Sequence, residues 1–419
     1  MDSEEFRRRG REMIDYVASY MENVRTYQPY PDVQPGYLRH MIPDCAPESP
    51  DSWDDLFKDI ERVIMPGITH WQNPHFHAYY TTASSFPATL ADILSNGIGC
   101  LGFTWGAASE ATLIALLSAR TKFLHKMKKD TTEMEDGVIM SKFVAYTSDQ
   151  GHSSVERAGL IAAVKMRQLE TDDKCALRGR TLQRAIDSDK AKGLVPIYVS
   201  EKEEIWLHID AAYAGSAFIC PEFRPILNGV EYATSFSFNP HKWMHVNFDC
   251  STMWVKDSTL ISDAFTVDPL YLKHEKQGQV MPDYRHWTIP FGRRFRSLKL
   301  WFVLRLFGQK WLQECIKKDV RLAHEFKNLV LSDERFELFC EVTLGLVCFR
   351  LKKSDEVNER LLKAINEDRR IHIVPSRTKD KYFLRFAICS SQTTSEDIQF
   401  AWKVISEMAD FVLKDELVY

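Results

Sequence analysis

An aspartate and a lysine stand at the ends of two short apolar runs. The first run is Trp206-Leu207-His208-Ile209-Asp210-Ala211-Ala212-Tyr213. The second is Ser235-Phe236-Ser237-Phe238-Asn239-Pro240-His241-Lys242-Trp243, and Lys242 follows Asp210 by 32 residues. Pyridoxal phosphate chemistry needs two such groups: an amine that condenses with the aldehyde, and a carboxylate that keeps the pyridine nitrogen protonated so that the ring accepts electrons. Most lysines are solvated surface charges. Here Pro240 precedes Lys242 by two residues and Trp243 follows it, which sets this lysine against an apolar wall and points to cofactor attachment.

The elements that must position this pair alternate between helix and strand. Leu113, Ile114, Leu116, Leu117, Leu124 and Met127 predict a helix over 111–127, and short apolar runs predict strands at 143–147, 194–199, 205–209 and 235–238. Ser153-Ser154-Val155-Glu156 has the capping-box pattern that opens a further helix. Such alternation implies a largely parallel sheet clothed by helices, with ligands at the strand carboxyl ends, where Asp210 and Lys242 fall. From about residue 334 a smaller α+β unit is expected: strand-like 336–351, a helix over 356–366, strands near Ile371 and Tyr382, and a helix over 395–413. At the other end, 6–24 carries an apolar helical stripe that packs on its own domain or on a second subunit. Proline-rich chain follows and reads as extended wrapping, then a short amphipathic helix at 54–65.

One junction conflicts with this scheme. Only residues 200–204 separate the strands at 194–199 and 205–209, whereas a parallel crossover needs a dozen residues or more. The two strands form an antiparallel hairpin, or one of them is not a sheet strand, or part of the unit is missing.

At 419 residues the chain has room for two or three domains, and its 45% hydrophobic and 27% charged residues place it among soluble globular proteins. A net charge of -4 gives no electrostatic case for nucleic acid or an anionic membrane. No run of 18 apolar residues occurs, and the N-terminus mixes acids with three arginines, unlike a signal peptide. Nine cysteines without a C-x-x-C pair indicate a reduced, cytoplasmic setting, and no metal site is expected.

Other motifs accompany the Asp210 and Lys242 runs: Glu5-Phe6-Arg7-Arg8-Arg9-Gly10, Pro31-Asp32-Val33-Gln34-Pro35-Gly36-Tyr37-Leu38-Arg39, Ile64-Met65-Pro66-Gly67, Ser148-Asp149-Gln150-Gly151-His152-Ser153, and Gly292-Arg293-Arg294-Phe295-Arg296-Ser297. In this order, and almost end to end, the chain closely resembles the aromatic-L-amino-acid decarboxylases of the group II pyridoxal phosphate decarboxylases, with histidine decarboxylase a near relative. The resemblance implies an α/β protein of PLP fold type I, like aspartate aminotransferase. It implies a mostly parallel large domain over 86–330, a small α+β C-terminal domain over 331–419, and an N-terminal segment over 1–85 that embraces the partner of a homodimer.

The resemblance also implies roles. Lys242 attaches the cofactor and is displaced by the substrate amine, Asp210 pairs with the ring nitrogen, Ala212 packs beside the ring, and His152 stacks on it and supports the reaction. A histidine just ahead of a helix has its own reason to be neutral, because the positive helix end disfavours imidazolium. The phosphate falls on Ala108 and Ser109, helped by Asn239 and His241, in keeping with the need for backbone N–H groups at a helix start. Where the family usually has a hydroxyl, this chain has Ala107. Tyr271 opens a polar stretch, 273–285, which the resemblance makes a lid whose tyrosine returns a proton to the carbon that loses CO2. Substrate contacts fall on Trp71, Tyr79, Tyr80 and Thr82, and on Leu101 and Phe103 supplied by the second subunit. Gly292, where related histidine decarboxylases tend to carry Ser, points to catechol or indole amino acids. Tyr80-Thr81 stands where the decarboxylases usually read Phe-Pro. Retention of His152 and Tyr271 argues against the aldehyde-synthase branch.

Two blocks of the family pattern are missing. Trp105 runs directly into Gly106-Ala107-Ala108-Ser109, without a large-domain helix and the glycine-rich approach to the phosphate. The second gap is the junction at 199/205, where the family carries a strand end with a threonine run and then a helix. The expected activity is decarboxylation of an aromatic L-amino acid (DOPA, 5-hydroxytryptophan, tyrosine or tryptophan) to its amine. Two alternatives stay open: a catalytically impaired chain that only dimerises with full-length subunits, and histidine as substrate, against which Gly292 speaks.

Overall fold

The computed structural model describes residues 1–45, 47–102, 104–198, 205–267, 284–290 and 292–416. The chain divides into two compact units, one formed by residues 1–81 with 319–419 and the other by residues 82–318. The N-terminal stretch contributes α1 (Ser3–Asn23) and α2 (Trp53–Asp59). Residues 82–318 carry α3 (Phe86–Ile98), α4 (Ala108–Asp130), α5 (Asp136–Met140), β1 (Phe143–Ser148), α6 (Ser153–Ala162), β2 (Lys165–Leu169), α7 (Gly179–Ala191), β3 (Val195–Tyr198) and β4 (His208–Asp210). They continue with β5 (Ser235–Phe238), α8 (Pro240–Trp243), β6 (Thr252–Val255), α9 (Thr259–Phe265) and the start of α10 (Ser297–Ser332), which turns at the left-handed Gly308. The C-terminal stretch adds β7 (Phe336–Leu338), β8 (Leu346–Leu351), α11 (Asp355–Asp368), β9 (Val374–Thr378), β10 (Lys381–Ala387) and α12 (Ser395–Glu416).

In the unit of residues 82–318 the strands form two sheets, β2-β1-β3 and β4-β5-β6. All pairs are parallel except β5 with β6. A parallel bridge, Tyr198 with Trp206, links β3 to the chain entering β4, and the Trp206 N–H donates to the Ile197 carbonyl at 3.1 Å. The short junction therefore makes no antiparallel hairpin. A dozen residues are needed only to carry the chain back to the start of its neighbour. Here β4 begins where β3 ends, so the two strands overlap at one residue and the link is short. Trp206 anchors this step: it is fully buried, and its Nε1 donates to Ser235 Oγ at 2.8 Å.

The missing block after Trp105 leaves a similar trace. Trp105 pairs with Ser251 in an isolated antiparallel bridge beside β6, the Ser251 N–H donating to its carbonyl at 2.8 Å. Apart from this, β6 is an edge strand, and Trp254 on it is exposed. The core of this unit gathers on α4, longer than its apolar spacing predicts, where Ile114, Ala115, Leu116 and Ala119 are fully buried with Phe143, Ala145 and Ile197.

The other unit is built on the antiparallel sheet β7-β8-β10-β9, matching the expected α+β pattern, with 336–351 resolved into the two strands β7 and β8. Its core includes a stacked pair, Phe326 and Phe386, at 3.8 Å between centroids. N-terminal chain is fastened to this core by several bonds, among them those of one buried carboxylate. Asp397 pairs with Arg25, accepts from the Thr394 N–H at 2.8 Å and Thr394 Oγ1 at 2.9 Å, and lies 3.0 Å from His75 Nε2. Among the described residues no helix is long and apolar enough to cross a membrane.

Burial opposes the charge of Asp397, but the donors from His75, Arg25 and Thr394 outweigh it and hold the carboxyl far below the usual range. A depressed carboxyl contributes stability above its unfolded value, about 3.9, and loses it as the pH falls toward the folded value. Asp397→Asn is expected to cost about 3–5 kcal/mol in urea unfolding at pH 7, since it leaves Arg25 beside a neutral amide. That difference should shrink progressively below pH 4. A cost under about 1 kcal/mol would remove the network from the account.

Candidate active site

The two chemistry-bearing residues stand at neighbouring strand ends. β4 and β5 pair in parallel, with His208 opposite Ser235, Ile209 opposite Phe236 and Asp210 opposite Ser237. The pairing continues past the strands: the Ala211 N–H donates to the Ser237 carbonyl at 2.9 Å, and the Asn239 N–H to the Ala212 carbonyl at 3.1 Å. The Asp210 carboxylate accepts the Ala212 N–H at 3.0 Å, which fixes it in an Asx turn just beyond β4. After β5, Asn239 starts the single turn of α8, Pro240 takes its first position, and Lys242 follows half-buried. Next to it in sequence, Trp243 is buried and stacked on Tyr213 at 4.5 Å. Gly215 sits so close that an added Cβ would stand 2.2 Å from Phe238 Cβ.

Beneath Asp210 lies a histidine that the sequence pattern had not singled out. His208 shares a face of β4 with Asp210, its Nδ1 lying 2.7 Å from Ser235 Oγ and its Nε2 3.4 Å from Ser237 Oγ. Burial pushes its pKa down to about 4, against the pull of Asp210, so the ring is neutral at pH 7. His241 is neutral too: burial carries it down to about 4, and its Nδ1 lies 2.7 Å from the Cys250 carbonyl oxygen.

His152 departs from the expected capping box. It is the N-cap of α6 itself, its Nδ1 accepting the Ser154 N–H at 3.2 Å and lying 2.8 Å from Ser154 Oγ, while Ser153 is the first helical residue. An accepting Nδ1 leaves the ring proton on Nε2, by this hydrogen-bond pattern. His152 and Ser109 line one cavity of ≈ 260 Å³ between the starts of α4 and α6. α4 also packs on β3, β4, β5 and β6. Ala107, the N-cap of α4, offers no side-chain bond, and the first N–H groups of a helix have no intrahelical partner.

These residues fit pyridoxal phosphate. Asn239 is buried, and its side-chain NH2 is the donor it can offer a phosphate, its oxygen being an acceptor only. Asn239, Lys242, Asp210 and Ala212 are brought together by one strand pair, and Ser109 and His152 by one cavity. Ala108 is buried in the first turn of α4.

The expected substrate contacts divide between the units. Trp71 and Tyr79, both exposed, stack at 6.1 Å, and Tyr79 holds a left-handed φ of 59°, strain that tends to collect at functional sites. Arg385 lies over the Tyr80 ring at 5.5 Å. Thr82, Leu101 and Gly292 belong to the other unit, where Leu101 bridges to Arg294 and a Cβ on Gly292 would meet nothing within 4 Å among the described residues. Phe103 and Tyr271 lie outside the described residues.

With this geometry the similarity to known proteins has a physical frame. The profile of the pyridoxal-dependent decarboxylase conserved domain matches residues 35–108, 106–202 and 199–352, in three pieces that break where the two blocks are missing. The chain is 50% identical to aromatic-L-amino-acid decarboxylase of Mus musculus over 478 aligned positions, covering 99% of this chain and 100% of the relative. Since this chain has 419 residues, stretches of that relative have no counterpart here. Among solved structures, Catharanthus roseus tryptophan decarboxylase in complex with L-tryptophan superposes with a TM-score of 0.88 at 33% identity, covering 98% of this chain and 99% of that one. Oryza sativa TDC with PLP and tryptamine gives 0.91 at 28%, with 98% of each covered. The chain belongs to the pyridoxal-dependent decarboxylase family, and pyridoxal 5'-phosphate is its cofactor.

Gly215→Ala is expected to cost about 1–3 kcal/mol in urea unfolding and to diminish the visible absorbance of added cofactor, because the new methyl drives Phe238 off the turn that follows β4. Gly292→Ala should leave unfolding unchanged. Equal behaviour of the two variants would contradict the geometry.

Proposed function

We propose that this chain decarboxylates an aromatic L-amino acid, of the DOPA, 5-hydroxytryptophan, tyrosine or tryptophan class, to the amine and CO2. The observation that carries the reading is the parallel β4–β5 pair, which delivers a carboxylate and a lysine to adjacent strand ends. When bound, pyridoxal phosphate supplies a ring that accepts the electron pair of the breaking carbon–carboxylate bond. Asp210 would hold a proton on the ring nitrogen, and the Lys242 amine would hold the cofactor covalently. The backbone N–H groups of Ala108 and Ser109 receive the phosphate at the start of α4, with Asn239 and His241 at its side. His152, its Nδ1 already committed to the Ser154 N–H, presents a flat ring to the cofactor. Ala212 backs the ring. Tyr271 donates the proton that takes the carboxylate's place on the substrate α-carbon.

The aromatic group of the substrate is received by Trp71, Tyr79, Tyr80 and Thr82, with Leu101 and Phe103 contributed by the second subunit of a homodimer. One feature of α3 supports a second copy. Leu90, Ile93, Leu94 and Ile98 leave a row of exposed apolar side chains along α3, and isolated subunits rarely expose such rows. Gly292 leaves open space where a bulkier residue would narrow the pocket, which favours catechol and indole rings over imidazole.

Release of labelled CO2 from carboxyl-labelled DOPA and 5-hydroxytryptophan, with histidine as comparison, tests this. Wild type should release CO2 from the aromatic pair only, and Lys242→Ala should fall by at least about a thousandfold, as expected for loss of a covalent catalyst. Gly292→Ser should keep its fold while its preference moves toward histidine. A wild-type chain that binds cofactor through Lys242 yet releases no CO2 from any of the three would leave a non-catalytic dimerisation partner as the reading.

A further inference from the structure

Four charged side chains and four stranded hydrogen-bond donors crowd the point where the chain passes from Trp105 into α4. Glu110, in the first turn of α4, folds back so that its Oε2 accepts the Gly106 N–H at 2.9 Å and its Oε1 accepts from Arg293 Nη2 at 3.2 Å. Arg296 pairs with Asp249 at 2.8 Å and donates to the Thr104 carbonyl at 3.3 Å. A Cβ on Gly106 would stand 2.8 Å from the Asp249 carboxylate, which places both ion pairs around this glycine. Arg293 is 5% exposed and lies 5.6 Å from the centre of the Trp105 ring.

The donors exceed the acceptors. Arg293 Nε, Arg296 Nε, Trp105 Nε1 and Thr104 Oγ1 are all buried, with no partner among the described residues. Each such group carries an uncompensated desolvation cost, and four in one place mark a position built for an acceptor. The helix end adds its own positive field. Access exists on one side, since Glu110 also lines the ≈ 260 Å³ cavity shared by Ser109 and His152.

We propose that Glu110 is an internal anion seated in a cradle for a phosphate-class dianion, and that such a dianion, entering from the cavity, takes over the Gly106 N–H and the Arg293 guanidinium. The proposal deepens the reading that the start of α4 receives the cofactor phosphate, and rests on it. It also gives that phosphate a cation, Arg293, in a chain where Ala107 stands in place of the usual hydroxyl. The same chemistry serves the phosphate of the cofactor and free inorganic phosphate.

The test compares Glu110→Gln, Arg293→Gln and wild type for binding of pyridoxal phosphate and of phosphate-free pyridoxal by visible absorbance. Inorganic phosphate is followed separately by 31P line broadening. Glutamine at 110 keeps an acceptor for Gly106 and removes the competing charge, so pyridoxal phosphate and inorganic phosphate should bind about fivefold to tenfold tighter, with pyridoxal unchanged. Arg293→Gln should weaken both phosphate ligands by at least about tenfold and spare pyridoxal. Phosphate affinity that is unchanged or weaker in Glu110→Gln overturns the proposal and makes Glu110 a structural cap. If Arg293→Gln does not fold, Glu110→Gln decides alone. If neither pyridoxal compound gives a Lys242-dependent band, the attachment reading fails, while the 31P titration still judges the cradle.

Discussion

A short parallel pairing holds this molecule's chemistry in place. Neighbouring strands lie about 4.8 Å apart, and parallel ones end on the same side of the sheet, so whatever follows β4 must meet whatever follows β5. The Ala211 N–H to Ser237 and the Asn239 N–H to Ala212 extend that pairing beyond the strands themselves. Asp210 is then fixed by its own turn, and Lys242 by a one-turn helix whose tryptophan stacks on Tyr213. Every link is local to β4, β5 and the few residues after them.

That locality explains how two missing blocks coexist with an intact pair. The second gap falls between β3 and β4 and is met by stagger: one bridge at Tyr198 and Trp206 replaces a ladder, and the buried Trp206 ties the step to Ser235. The first falls at Trp105, whose bridge to Ser251 stands where β6 would otherwise meet solvent. Both losses reduce sheet pairing, and an exposed edge such as β6 is a liability for association. The lost approach to α4 bears more directly on the site, since it leaves the first turn of that helix among Glu110, Arg293, Arg296 and Asp249.

Much of this was legible in the sequence. The Asp210 and Lys242 runs, the strands beneath them and the helix behind them follow from short apolar runs and helical spacing. A conflict at 199/205 was legible from chain length alone, because five residues cannot cross back along a strand, and the family resemblance made it a missing block. What stayed hidden depends on contacts between distant residues. Ser153 carries the better capping signature, yet His152 caps α6, its imidazole accepting the Ser154 N–H. The stagger of β3 and β4 has no sequence signal, because period-two patterns specify faces and not overlap. Arg293 and Arg296 stood in a motif of which only Gly292 suggested a role, and their unpaired nitrogens emerge only when Trp105 and Glu110 are brought beside them.

The central claim is that the strand pair presents Lys242 to the cofactor despite the two missing blocks. Borohydride reduction of the protein with pyridoxal phosphate, followed by peptide mass mapping, asks this directly. The account predicts one dominant adduct, on Lys242, lost when Asp210 is replaced by Ala or when the strand pair is unfolded in urea. Adducts scattered over surface lysines, with Lys242 unmodified in the folded protein, would contradict it.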